Sequence, residues 1–219
     1  KPFLCVCYTG HTAGHAVFAL QMLGYEAYSL GWGMSSWHTS LMGSWQGKVG
    51  NLATPVTTDA PALTTTYNFP VLDDYSIEAR LDEVLNGGSN MITYTAMALE
   101  GLENYFIINY FTPDQYMGVD GSLSPGHLDG SYQFTPKESL GYDEMLEYLP
   151  TDGTKIVVYC WTGQHGSQVA AYLNMLGYDA YDMVASSNNL WHNLLGGNKW
   201  ADHANTFPLE VTPVLVSNF

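Results

Sequence analysis

The chain has 219 residues, with 6 Lys+Arg against 21 Asp+Glu and a formal net charge of −15. So few cations build no basic patch, which excludes a nucleic-acid partner held through its phosphates and attraction to an anionic membrane surface. Hydrophobic residues at 46% suffice for a buried core and are too many for a disordered chain, and no apolar run reaches the roughly 20 residues of a membrane span.

In chain order, Pro2 to Tyr8 reads as a strand. The chain opens in it without an initiator Met, so it reads as processed or truncated. Cys7 and a Gly-containing loop follow, then an amphipathic helix with Ala16, Leu20 and Leu23 on one face. Gly24 stands at its C-terminal cap, and residues 27–30 form a second short strand. Residues 51–67 are rich in Thr, Pro and Ala and read as a linker. Beyond it, 76–85 is helical, 92–99 passes from strand into helix, and Tyr105 to Asn109 is a buried strand. Thr112 opens a short helix with Pro113 in its first turn. Residues 121–131 form a Gly/Pro/Ser loop and 142–148 another helix. Lys155 to Tyr159 is again a buried strand, ending at Cys160 and a Gly loop. A helix with Val169, Leu173 and Leu176 on one face, Gly177 as cap, and a strand over 180–183 complete the series.

Two of these stretches are one pattern. Residues 7–28 and 160–181 align at a constant offset of 153, with ten of 22 positions identical. Copies this far apart indicate a duplicated domain rather than a short-period solenoid. Strand, loop, helix and strand make up half of a parallel α/β sheet. The second copy has a complete first half ahead of it, and the first has none.

The loop after each strand has a chemical logic. Backbone N–H groups of a tight turn converge on the Cys sulfur, and the helix N-terminus adds partial positive charge. Both favour thiolate over thiol, so Cys7 and Cys160 are candidate nucleophiles. Cys5 lies two residues before Cys7 and reads as core filler. His11 and His15 stand four apart, as metal ligands on a helix do, but no acidic or Cys partner has matching spacing, so no metal and no cofactor are expected.

The Cys-x-x-Gly loops, the Leu-Gly-Tyr-Asp/Glu-Ala-Tyr run after each helix, and Gly126-His127-Leu128-Asp129-Gly130-Ser131 together resemble the rhodanese-like (sulfurtransferase) domain family. Residues 104–116 are similar to its first strand and the turn after it, 126–131 to its Gly-His motif, 160–166 to its active-site loop, and 31–37 to its closing Gly/Trp segment. The resemblance implies an α/β fold, a parallel central sheet with helices on both faces. It covers one full domain plus the back half of a second: 1–50 as that half, 51–70 as linker, 71–205 as the complete domain and 206–219 as a tail. It also implies sulfur transfer through a persulfide on Cys160, with Cys7 as a second candidate. The cradle would be Trp161, Thr162, Gly163, Gln164, His165 and Gly166 in one loop, and Tyr8, Thr9, Gly10, His11 and Thr12 in the other. The family often carries Arg five positions after the Cys, where this chain has Thr12 and His165, and its Asp-x-Arg appears as Asn109-Tyr110-Phe111. Without that guanidinium a dianion such as thiosulfate meets a poor site. The implied partner is a small sulfur donor such as polysulfide, or a protein persulfide. The rival is a binding or structural module that kept the fold and lost turnover.

Two further expectations follow. Strands with unpaired edges are costly, so a further polypeptide or subunit should complete the sheet of residues 1–50. The scarcity of Lys and abundance of Thr, Tyr, Gly and Asn suit a periplasmic or extracellular protein.

Overall fold

The computed structural model describes residues 1–58, 61–73, 76–202 and 205–209. Residues 59–60 of the expected linker and 210–219 of the expected tail lie outside the described residues. The elements are β1 (Phe3–Cys5), α1 (His11–Met22), β2 (Ala27–Ser29), α2 (Gly43–Gln46), α3 (Ile77–Gly87), β3 (Met91–Ile92), α4 (Tyr94–Glu100), β4 (Tyr105–Asn109), α5 (Pro113–Met117), β5 (Tyr132–Gln133), β6 (Lys155–Tyr159), α6 (Gln164–Met175), β7 (Ala180–Met183) and α7 (Ser187–Leu190).

Five strands form one parallel sheet in the order β3-β7-β6-β4-β5. Its central strand β6, Lys-Ile-Val-Val-Tyr, is apolar on both sides because both faces are covered. Ile156 and Val158 point into a core with Ile108, Val169, Leu173 and Tyr178. Val157 and Tyr159 point the other way, among Met97, Ile107, Leu128, Leu190 and Trp191. Helices therefore flank both faces, as the α/β expectation requires.

Local signals fix the helix starts. Ser76 accepts a hydrogen bond from the Ala79 amide at the head of α3, Thr93 does so from Ala96 at α4, and Thr112 with Gln115 forms a reciprocal capping box at α5. The helix expected over 142–148 is reduced to one 3-10 turn, Leu146–Tyr148. Gly141 precedes it, and the Met145 amide donates back to Ser139 rather than along a helix. The linker is laid along the full domain: Val56 and His127 exchange backbone bonds, and the Ala53 and Tyr67 amides donate to Leu190 and Glu147.

Residues 1–50 supply a two-stranded parallel sheet, β1 with β2. Its register repeats that of β6 with β7. Phe3 pairs Ala27 as Ile156 pairs Ala180, and Cys5 pairs Ser29 as Val158 pairs Asp182, each 153 residues apart. The surroundings differ. Val157 is 0% exposed between β4 and β7, while its counterpart Leu4 is 61% exposed. Phe3, Val6, Tyr8 and Tyr28 are also exposed. The expected inward face of α1 is corrected for the same reason. Leu23 is exposed and Ala16 and Leu20 are half-buried, whereas Ala13, Gly14, Val17, Phe18 and Ala19 are buried. Helix α1 has turned its contact face to α6 and α3, where Phe18 and Ala19 meet Leu81, Val84 and Ala171.

Candidate functional site

Helices α1 and α6 pack with their N-termini together, so the two Cys loops face each other. The contact is nearly two-fold. A Cβ added to Gly10 would lie 2.1 Å from Gln164 Nε2, and one added to Gly163 would lie 2.2 Å from His11 Cε1. Gln164 is the counterpart of His11, and Gly163 of Gly10, at the same offset of 153. Both glycines also sit at positive φ, +95° and +85°, where a side chain is strained. Glycine is thus required twice over, by the turn and by the opposite loop. On the axis, a Cβ at Gly14 would come 2.3 Å from Ser167 Oγ.

In each loop the backbone amide three residues on donates to sulfur, Gly10 N–H to Cys7 Sγ at 3.0 Å and Gly163 N–H to Cys160 Sγ at 3.2 Å. From there the two diverge. Cys7 is half-buried. Its partial burial alone would raise the thiol, but the Thr12 hydroxyl and the amides of Ala13, Thr9 and Gly10 outweigh it and hold Cys7 below the usual thiol value. Cys160 is 2% exposed. Burial first, and the Asp182 carboxylate second, push its thiol up despite the amides of Thr162, Gly166 and Gly163. The main-chain dipoles expected to favour the Cys160 thiolate are thus opposed by burial and by the Asp182 carboxylate. Amides aimed at a sulfur do not offset full desolvation with a carboxylate nearby.

Asp182 is the residue that sequence reasoning missed. It is buried at the end of β7, and its Oδ2 lies 2.5 Å from His11 Nδ1. Burial raises the Asp182 carboxyl to about 6 even though His11 pulls it down. For His11, burial works against the cation, and the Asp182 charge and bond more than restore it, so its value is raised. The only sequence signal is that Asp182 stands where the first copy has Ser29.

The other expected cradle residues have varied places. Trp45 Nε1 donates to Thr9 O at 3.1 Å, Ser35 Oγ to Tyr8 O at 2.8 Å, and the Met34 amide to Cys7 O at 2.8 Å, so the 31–37 segment braces the Cys7 loop. Gln164 reaches across, accepting from the Trp32 amide and donating to Leu30 O. Thr162 Oγ1 accepts from the Gln164 amide, and Trp161 leans on Phe111 with ring centroids 4.8 Å apart. Ser186 Oγ accepts from the Cys160 amide, and Ser187 Oγ donates to the Cys160 carbonyl. Gly166 is buried against Asp182, and His165 is exposed. Tyr8 is 62% exposed beside Cys7. His127 serves the fold: it stacks on Tyr116 and bonds that residue's carbonyl through Nδ1. Among the described residues no group of three or more His, Cys, Asp or Glu is placed to hold a metal ion, and no helix is long and apolar enough to cross a membrane.

A family model described as the rhodanese-like domain matches residues 86–194. The chain carries a rhodanese-like domain. The match takes in the five-stranded sheet, the Gly126–Ser131 turn and the Cys160 loop of that domain. Among solved structures, a protein of unknown function described as a possible tyrosine phosphatase, from Rhodopseudomonas palustris CGA009, is 17% identical with a TM-score of 0.38, covering 56% of this chain and 94% of that one. A double cysteine-to-alanine variant of EanB in complex with hercynine is 24% identical with a TM-score of 0.38, covering 47% of this chain and 25% of that one. No curated protein matches.

Proposed function

We propose that the protein is a sulfane-sulfur carrier of sulfurtransferase type in which Cys7 takes up and hands on the sulfur. What supports the reading is a half-buried thiol lowered from its ordinary value by one hydroxyl and three loop amides, beside a rhodanese-like domain. The Cys7 thiolate attacks the terminal sulfur of a polysulfide or persulfide donor. A Cys7 S–S bond forms, the donor's S–S bond breaks, and its electron pair leaves on the shortened donor as a thiolate. An acceptor nucleophile then attacks the outer sulfur, and the Cys7 thiolate departs. Neither loop contains Lys or Arg. Phosphoryl chemistry, which needs a guanidinium or metal clamp, lacks its main stabiliser here, and a neutral or singly charged donor is favoured over thiosulfate. The test is thiocyanate formation from polysulfide and cyanide. Cys7→Ser should lower it at least about a hundredfold and Cys160→Ser less than about threefold; the opposite ranking overturns the reading.

A second reading, that of a rhodanese-fold interaction module, is favoured by the exposed β1–β2 sheet. In the full domain the strands equivalent to β1 and β2 are flanked by β4 and β3. A polypeptide supplying two such strands would cover Phe3, Leu4 and Val6 as β4 and its neighbours cover Ile156, Val157 and Tyr159. The same polypeptide would complete the first unit of a tandem.

A further inference from the structure

The two Cys loops share backbone geometry, an amide-to-sulfur bond and a two-fold contact. One interaction between them is not symmetric. His11 Nδ1 meets Asp182 Oδ2 at 2.5 Å, both side chains buried. The two-fold counterpart of that pair is Gln164 with Ser29. Gln164 instead bonds neutral backbone, the Leu30 carbonyl and the Trp32 amide. Among the described residues the one charged contact across the axis thus has a direction. His11 belongs to the Cys7 loop and opens α1, while the carboxylate lies under the first turn of α6, its Oδ1 2.5 Å from where a Gly166 Cβ would be.

We propose that the His11–Asp182 pair assigns opposite roles to the two cysteine loops, presenting its imidazolium to Cys7 and its carboxylate to Cys160. The proposal rests on the reading of Cys7 as sulfur carrier and names the positioning residues of that site. Asp182 acts through His11, keeping a buried imidazolium charged next to the thiolate. The groups facing His11 are Asp182, Cys7 and Lys48, the last opposing its charge, with the Trp45 ring beside it. Those facing Asp182 are His11 and Cys160. Lys48 is already tied to the Ser44 carbonyl. Burial works against charge on both partners, the Asp182 charge and bond raise His11 all the same, and the Asp182 carboxyl is pushed up to about 6.

The experiment is pH-dependent alkylation of the full chain, read at each cysteine by peptide mass spectrometry. Each profile is normalised to its own plateau so that accessibility cancels. His11→Gln, which gives the first loop the residue of the second, should cut Cys7 alkylation at pH 7 about tenfold, and leave the Cys160 midpoint unchanged or higher. Asp182→Asn should slow Cys7 similarly and lower the Cys160 midpoint. General loosening of the fold would lower Cys160 in both variants. A Cys160 midpoint that falls in His11→Gln, or a Cys7 profile that moves in neither, overturns the proposal. Wild-type protein gives an independent check if a variant fails to fold. Capping Cys7 with a neutral carbamidomethyl group should lower the His11 titration midpoint seen by NMR, and an unmoved midpoint overturns the proposal. Midpoints that move as stated while wild-type Cys7 takes up no sulfur from polysulfide would overturn the carrier reading alone.

Discussion

Thr12 stands where the resemblance led one to look for arginine, and its hydroxyl does part of an arginine's work. Hydrogen bonds to a charged group contribute about 1.5–3 kcal/mol, less when solvent reaches them. Thr12 is exposed, so Thr12→Val should slow Cys7 alkylation at pH 7 about three- to fivefold, with the plateau at high pH unchanged. The sign of the pH dependence is set by the lowered Cys7 thiol and the raised Cys160 thiol. Cys7 reactivity should level off below the ordinary thiol value of about 8.5, and Cys160 reactivity only above it; stopped-time alkylation across pH 6–10 measures both. The two Cys loops were legible because a strand, a Cys and a Gly before a helix are contiguous in sequence. Which thiol is lowered and which is raised was not legible. It depends on how far each sulfur is desolvated and, for Cys160, on the Asp182 carboxylate, which lies on a different element.

At the scale of elements, the repeat at offset 153 was visible in ten identities and reappears as identical strand register and helix bounds, His11–Met22 against Gln164–Met175. The face of α1 was not legible. Periodicity gave Ala16, Leu20 and Leu23, but a helix buries the face its neighbours cover, and here those neighbours are α6 and α3. The contact tolerates no added volume on its axis. Gly14→Ala would press on Ser167 Oγ and on the Gln164 carbonyl at 2.8 Å, and should cost about 1–3 kcal/mol. Gly47→Ala, in ordinary contact at 3.6 Å with the Gly43 carbonyl, should cost less than about 0.5 kcal/mol. Chemical denaturation of the two variants compares them. The exposed strands make a separate prediction. In the chain alone the amides on the outer edge of β1 should exchange with deuterium far faster than those of β6, and binding of a sheet-completing polypeptide should protect them.

Over the whole molecule the net charge of −15 opposes approach of any anion. Sulfur uptake from an anionic polysulfide should therefore quicken as ionic strength rises from 10 to 150 mM, which shortens the screening length from about 30 to about 8 Å. Uptake from a neutral persulfide donor should change little. This direction was readable from composition, as was the parallel sheet from its apolar strands. The different settings of the two sulfurs were not, because they emerge only where a two-stranded and a five-stranded sheet bring the N-termini of α1 and α6 together. The most direct measurement is site-resolved mass spectrometry of the intact chain after brief exposure to polysulfide. The additional sulfur atom should be found on the peptide bearing Cys7, with Cys160 recovered as a free thiol. Sulfur on Cys160 with Cys7 unmodified would contradict the account.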